Sequence, residues 1–234
     1  MKIVAVKIDS EIEHSLYIDL LRNLPKEKQV RLNKFRNKMD ADRSLLGEIL
    51  IRTEIMNVTN VKNLEIVFQK NSYGKPILLN KPQLHYNITH SGNWVACAID
   101  CSTIGIDVEK ISPIDYTIAD RFFSKQEIMD LTKKEEPEKL KYFFDLWTLK
   151  ESYIKADGRG LSIPLDSFSI RKTNNTIKMM TENSLKEVFF KQYEIDDMYK
   201  CSVCALNNQF PVEPRVLSLL DTCHNFLNHI DHNH

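Results

Sequence analysis

The hydrophobic positions along the chain change period repeatedly, and each change marks an element. Residues 2–8 read as a strand, and a helical pattern runs through about residues 12–21. Pro25 opens a second helix in which Lys28 and Arg31 share a face, while Val30 and Phe35 are expected to turn inward. A longer helix over about residues 40–56 carries Leu45, Leu46, Ile49 and Leu50 as its apolar stripe. Strand-like runs follow at 64–68, 84–89 and 94–100, separated by the turn sequences Asn71-Ser-Tyr-Gly-Lys-Pro76 and His90-Ser-Gly-Asn93. Residues 104–109 form another strand candidate.

The rest of the chain repeats this outline. Helices are expected near 117–123, from 125, and from Pro137 to Asp157 with Gly158 as a stop. Strands should follow: the segment from Leu161 to Leu165, then, after a turn at Asn174-Asn175, a hairpin of residues 188–195 and 199–206. Long helix, glycine-containing turn and terminal hairpin thus occur twice. The pattern predicts an α+β fold: a pseudo-dimer of similar halves, residues 1–103 and 104–234, with the active site at their interface. Residue identity between the halves is too low to prove duplication. The end of the chain, from about 212 with His224, His229, His232 and His234, shows no capping or strand pattern and reads as a frayed tail.

Composition narrows the function classes. A chain of 234 residues, 42% apolar and 27% charged, has the make-up of a folded soluble protein. Folding should bury roughly 70–75% of the unfolded surface. Lys plus Arg and Asp plus Glu both number 32, so no overall field draws the protein to nucleic acid or an anionic membrane. One local run is basic, with Lys26, Lys28, Arg31, Lys34, Arg36 and Lys38 against Glu27 alone; its plain reading is a solvated helix face. The N-terminus is too short and charged for a signal peptide, which makes the cytoplasm the expected compartment. Five cysteines do not suit a disulfide framework. Strand alternation sends Cys201 and Cys204 to opposite faces and holds Cys97 and Cys101 about 13 Å apart, so neither pair chelates zinc.

Asp107 and Glu109 are two apart on a strand and share a face, with their Cα atoms about 6.5 Å apart. A hard divalent cation fits between them, and so does the plain alternative of an exposed strand end. Glu151 falls in the apolar seam of Leu140, Phe144, Trp147 and Ile154, where a carboxylate must be protonated, paired or metal-bound. Lys155, one turn on, offers the structural pairing. His90 alone reads as a turn histidine, and Glu127 as the far end of a Ser124-x-x-Glu127 capping box.

Taken together, Gly105-Ile-Asp-Val-Glu109, Phe123-Ser-Lys-Gln-Glu127 and Trp147-Thr-Leu-Lys-Glu-Ser-Tyr-Ile-Lys155 resemble the signature set of the 4′-phosphopantetheinyl transferases. Tyr73-Gly-Lys-Pro76 and Tyr86-Asn-Ile-Thr-His-Ser-Gly92 resemble the broad-specificity, surfactin-type branch, and the similarity runs to about residue 206. The resemblance implies a monomeric pseudo-dimer. It implies transfer of the 4′-phosphopantetheine arm of coenzyme A to a serine of an acyl or peptidyl carrier protein, in fatty-acid or nonribosomal peptide synthesis, with release of adenosine 3′,5′-bisphosphate. It puts Asp107, Glu109 and Glu151 on Mg²⁺, which Mn²⁺ could replace, and gives Glu151, Lys155 and Glu127 catalytic roles. Coenzyme A would be held by Lys28, Arg31, Arg43, Lys75, Pro76, Thr89, His90, Lys150 and Lys155. Thr89 stands where many relatives have serine. Carrier recognition is expected in the second half, around Leu161 and Phe168.

Overall fold

The computed structural model describes residues 1–173 and 176–231; the turn expected at Asn174-Asn175, and His232 and His234, lie outside the described residues. The first half opens with β1 (Lys2–Lys7), α1 (His14–Arg22), α2 (Lys26–Leu32) and the long α3 (Lys38–Thr59). Asn37 caps α3 by accepting from the amide of Asp40, and Asn60 ends it in the left-handed conformation. The hairpin β2 (Phe68–Lys70) and β3 (Pro76–Leu78) leads into the antiparallel pair β4 (His85–Ser91) and β5 (Trp94–Asp100).

The second half holds β6 (Ile104–Lys110), α4 (Ala119–Phe122), α5 (Lys125–Thr132) and the long α6 (Glu138–Asp157), which Gly158 closes with φ of 88°. The hairpin β7 (Phe168–Lys172) and β8 (Ile177–Thr181) follows, then β9 (Phe189–Tyr193) and β10 (Tyr199–Ala205). The chain ends with β11 (Arg215–Leu217) and α7 (Leu219–Asp231). One sheet has the order β11-β1-β5-β4 and the other β6-β10-β9.

Every residue of β5 is buried, which alternation explains only if both faces are covered. Val95, Cys97 and Ile99 enter the first half's core under α3, whereas Trp94, Ala96 and Ala98 enter a central core with Ile104, Ile106, Val108, Cys201 and Val203. Strand β1 divides in the same way, with Val4 and Val6 on one side and Ile3 and Ala5 on the other. The two sheets therefore pack against each other, and each long helix covers an outer face. This is the expected α+β pseudo-dimer. Cys201 joins the central core and Cys204 the second half's core, on opposite faces of β10.

Four local expectations change. Residues 64–68 do not form a strand: Asn63–Glu65 is a 3₁₀ turn closed by Glu65 accepting from the Lys62 amide, and pairing begins only at Phe68. The Leu161–Leu165 segment is not extended either but lies across two 3₁₀ turns, Gly160–Ser162 and Leu165–Ser167, set by Gly160 at φ 55° and by Pro164. In α2 the inward residue is Leu32, while Val30 and Phe35 stay exposed. The segment expected to fray is folded as far as Asp231. Strand β11 pairs parallel with β1, and α7 lays Leu219, Cys223 and Phe226 into the first half's core at i, i+4, i+7 spacing. Ser218 caps this helix by accepting from the Asp221 amide.

Candidate active site between the halves

The site begins with a glycine that lets two elements touch. A Cβ on Gly105 would lie 2.1 Å from the Ser152 carbonyl oxygen and 2.4 Å from the Ala156 amide, so only glycine brings β6 against α6 at this depth. That closeness sets Asp107 of β6 beside Lys155 of α6, Oδ1 to Nζ at 2.6 Å. Asp107 is 3% exposed, and its Oδ1 also accepts from the Thr89 hydroxyl at 3.2 Å. Its Oδ2 is buried with no hydrogen-bond partner. Glu109, on the same face of β6, accepts from Ser91 Oγ at 2.8 Å.

Burial raises the pKa of all three carboxyl groups, and neighbouring negative charge adds to it at Glu109 and Glu151. Desolvation pushes Asp107 up despite Lys155. Desolvation and then Asp107 raise Glu109. Glu151 is pushed up to about 7 by desolvation and then by Asp107, with Glu109 adding and Lys155 opposing. Three acids thus face one ammonium. Lys155 pairs with Asp107 and not with Glu151, the partner offered by helical spacing. Among the described residues no three acid, histidine or cysteine groups stand at metal-binding separation. An orphaned buried carboxylate oxygen and an all-oxygen donor set nevertheless fit a hard divalent cation.

Of the residues expected to hold the cofactor, five meet in one cleft of about 200 Å³: Lys28, Arg31, Arg43, Pro76 and His90. Ser44, Gly47, Glu48, Phe68, Tyr86 and Ile88 complete its wall; of these only Tyr86 and Ile88 lie in a sequence motif. Lys28 pairs with Glu48 at 2.7 Å, and Arg43 donates to the Gly92 carbonyl at 2.8 Å while pairing with Asp40. His90 is the one exposed position of β4; desolvation, then Arg43 and Lys155, lower its pKa, so its imidazole is the neutral form near pH 7.

The remaining residues fall elsewhere. Lys75 is turned under Gly158, with Nζ donating to the Ala156 carbonyl at 3.0 Å, and desolvation lowers its pKa to about 8. The Thr89 hydroxyl donates to Asp107 and accepts from Lys155 and the Val108 amide, which leaves it no capacity for a phosphate. Lys150 and Glu127, both expected to serve the reaction, instead form a fully enclosed pair at 2.8 Å, with 0% and 1% of their side chains exposed. Lys150 points into the second half's core because it lies on the face of α6 turned away from β6, over the Phe168 ring. Glu127 closes the Ser124 capping box as the sequence indicated. Phe168 is buried against Tyr153, so only Leu161 of the two carrier-binding candidates is open to a partner.

Comparisons with known proteins bear on this arrangement. A family model described as 4′-phosphopantetheinyl transferase superfamily matches residues 103–204, and one described as 4′-phosphopantetheinyl transferase, N-terminal, matches residues 12–102. The chain is 40% identical over 219 residues to the 4′-phosphopantetheinyl transferase Sfp of Bacillus subtilis, covering 93% of this chain and 98% of that protein. It is 42% identical over 206 residues to the 4′-phosphopantetheinyl transferase gsp of Aneurinibacillus migulanus, covering 88% and 86%. No helix among the described residues is long and apolar enough to cross a membrane.

Proposed function

This chain belongs to the 4′-phosphopantetheinyl transferase superfamily, and from that premise we propose a division of labour between its two halves in moving the arm of coenzyme A to a carrier-protein serine. The observation that carries this reading is the juxtaposition of a basic cleft in the first half with an excess of buried carboxylate in the second. The cleft of Lys28, Arg31, Arg43 and His90 suits the nucleotide end of coenzyme A, where Arg43 and Lys28 neutralise phosphate and His90 offers a neutral ring nitrogen.

Asp107, Glu109 and Glu151 would hold Mg²⁺, with Mn²⁺ as an alternative. When bound, that ion supplies Lewis-acid neutralisation of the pyrophosphate. Lys155, half-buried and fixed by Asp107 and Thr89, adds the positive charge needed on the departing bisphosphate. The carrier serine oxygen forms a bond to the phosphorus nearer pantetheine as the bridging P–O bond breaks, and its proton must leave. Glu151, beside Asp107, Glu109 and Lys155, is the carboxyl group placed to receive it. The products are the holo-carrier and adenosine 3′,5′-bisphosphate.

Intact-mass spectrometry of an apo-carrier panel, drawn from fatty-acid and peptide synthetases, tests the reading. We expect a mass gain equal to one phosphopantetheine only when coenzyme A and Mg²⁺ are both present. Cleaved coenzyme A beside an unmodified carrier would instead make the protein a hydrolase, and transfer undiminished in chelator would remove the cation from the reaction.

A further inference from the structure

The edge strands of the two sheets, β4 and β6, lie side by side but share no backbone ladder. Side chains replace it. Asn87 Oδ1 accepts from the Ile106 amide at 2.9 Å, Thr89 Oγ1 from Val108 at 3.2 Å and Ser91 Oγ from Lys110 at 3.1 Å. The three acceptors are spaced by two, on one face of β4, and take every second amide of β6. The Ile106 and Val108 amides are buried, so an unpaired edge would leave them without a partner, while the Lys110 amide is exposed.

The last two rungs do a second thing. The hydroxyl that accepts a β6 amide also donates to a β6 carboxylate, Thr89 to Asp107 Oδ1 and Ser91 to Glu109 Oε2. Asn87 has no such bond to the acids. A hydroxyl can do both because it carries one donor and two acceptor sites. Each carboxylate is thereby oriented by the opposite half of the molecule.

We propose that Ser91 is a positioning residue for the cation site, fixing Glu109 through a rung that also sets the spacing of the two halves. The proposal rests on the reading of Asp107, Glu109 and Glu151 as cation ligands. Outer groups that orient a ligand typically govern metal affinity by 10–100-fold. Ser91 should therefore act on Mg²⁺ affinity, whereas Asn87 should act on stability alone. Serine and threonine should be interchangeable at 91, since the neighbouring rung is a threonine making the same two bonds.

The test uses the full chain and reads Mg²⁺ binding twice, by the Mg²⁺ dependence of the unfolding temperature and by the Mg²⁺ concentration that half-saturates transfer. We expect Ser91→Ala to raise both midpoints about tenfold, Ser91→Thr to restore them, and Asn87→Ala to lower the unfolding temperature in the absence of Mg²⁺ without moving either midpoint. Unchanged midpoints in Ser91→Ala, or an equal shift in Asn87→Ala, overturn the inference. Asp107→Ala separates the two levels: if wild type responds to Mg²⁺, Asp107→Ala does not, and Ser91→Ala behaves as wild type, only the positioning role falls. If Asp107→Ala responds as wild type does, or neither responds, the cation reading falls and takes this inference with it.

Discussion

Two lysines five residues apart on α6 each meet a buried carboxylate at nearly the same distance, Lys150 with Glu127 at 2.8 Å and Lys155 with Asp107 at 2.6 Å. The first pair is closed. Lys150 directs its three protons to Glu127, the Leu165 carbonyl and the Phe168 carbonyl, while Glu127 accepts from the amides of Ser124 and Ile170. The second pair is open, with one Asp107 oxygen unpartnered, Lys155 reachable by solvent, and two more carboxyl groups repelling the first. A fully satisfied polar network fixes structure, and an unsatisfied one costs stability that a ligand can return. Satisfaction and solvent access, rather than distance, separate scaffold from site here.

The largest expected effect would break the closed pair. Glu127→Ala leaves Lys150 buried with only two backbone carbonyls and no counter-charge, and denaturant unfolding should show a loss of about 3–5 kcal/mol. Asp107→Ala is the mirror experiment. Stability should change by no more than about 1 kcal/mol, because the substitution also removes a carboxylate with an orphaned oxygen. Transfer should fall by about 10²–10³-fold, equivalent to about 2.7–4 kcal/mol in the barrier. If Glu127→Ala instead proved stable but inactive, and Asp107→Ala unfolded, the assignment of the two pairs would have to be exchanged.

Lys75 sharpens the contrast as a half-buried lysine hydrogen-bonded to backbone carbonyls and to no carboxylate. Its folded-state pKa of about 8 lies below the ordinary 10.5. Between those values the unfolded chain binds the extra proton, so this residue's penalty is present below pH 8 and is relieved as pH rises towards 10.5. In paired unfolding curves, wild type should gain on Lys75→Met by roughly 2 kcal/mol over that window. A constant difference from pH 7 to 10.5 would mean that Lys75 keeps its proton and is better solvated than its burial suggests.

The reach of the sequence follows the same line between local and tertiary causes. Strand alternation correctly put Asp107 and Glu109 on one face, and the capping box of Ser124 and Glu127 was legible as a local pattern. The inward turn of Lys150 was not, because Lys150 and Lys155 lie on one helix and only the packing of β7 tells which faces the core. The i, i+4, i+7 stripe of Leu219, Cys223 and Phe226, with Ser218 ahead of it, is legible as a local pattern, whereas the parallel pairing of β11 with β1 that anchors it is tertiary. Asn87 and Ser91 fall in the Tyr86–Gly92 segment, but nothing local told of their role, since the amides they accept from lie 19 residues on, across the junction of the halves.

The smallest expected effect concerns the first half, where the charges are open by design of the surface and not by burial. Arg43 has one hydrogen bond to the Gly92 carbonyl and an ion pair with half-exposed Asp40, so part of its guanidinium remains for a phosphate. Lys28 is held by Glu48 and has less to give. Arg43→Ala should raise KM for coenzyme A about tenfold, near 1.4 kcal/mol, with kcat nearly unchanged, because nucleotide binding far from the reacting phosphorus is uniform between ground and transition states. The same substitution should have almost no effect with 3′-dephospho-coenzyme A as substrate. That difference isolates the 3′-phosphate as what Arg43 contacts; an equal penalty on both substrates would mean that Arg43 acts by holding the Gly92 turn, and would move the nucleotide contact to other residues of the cleft.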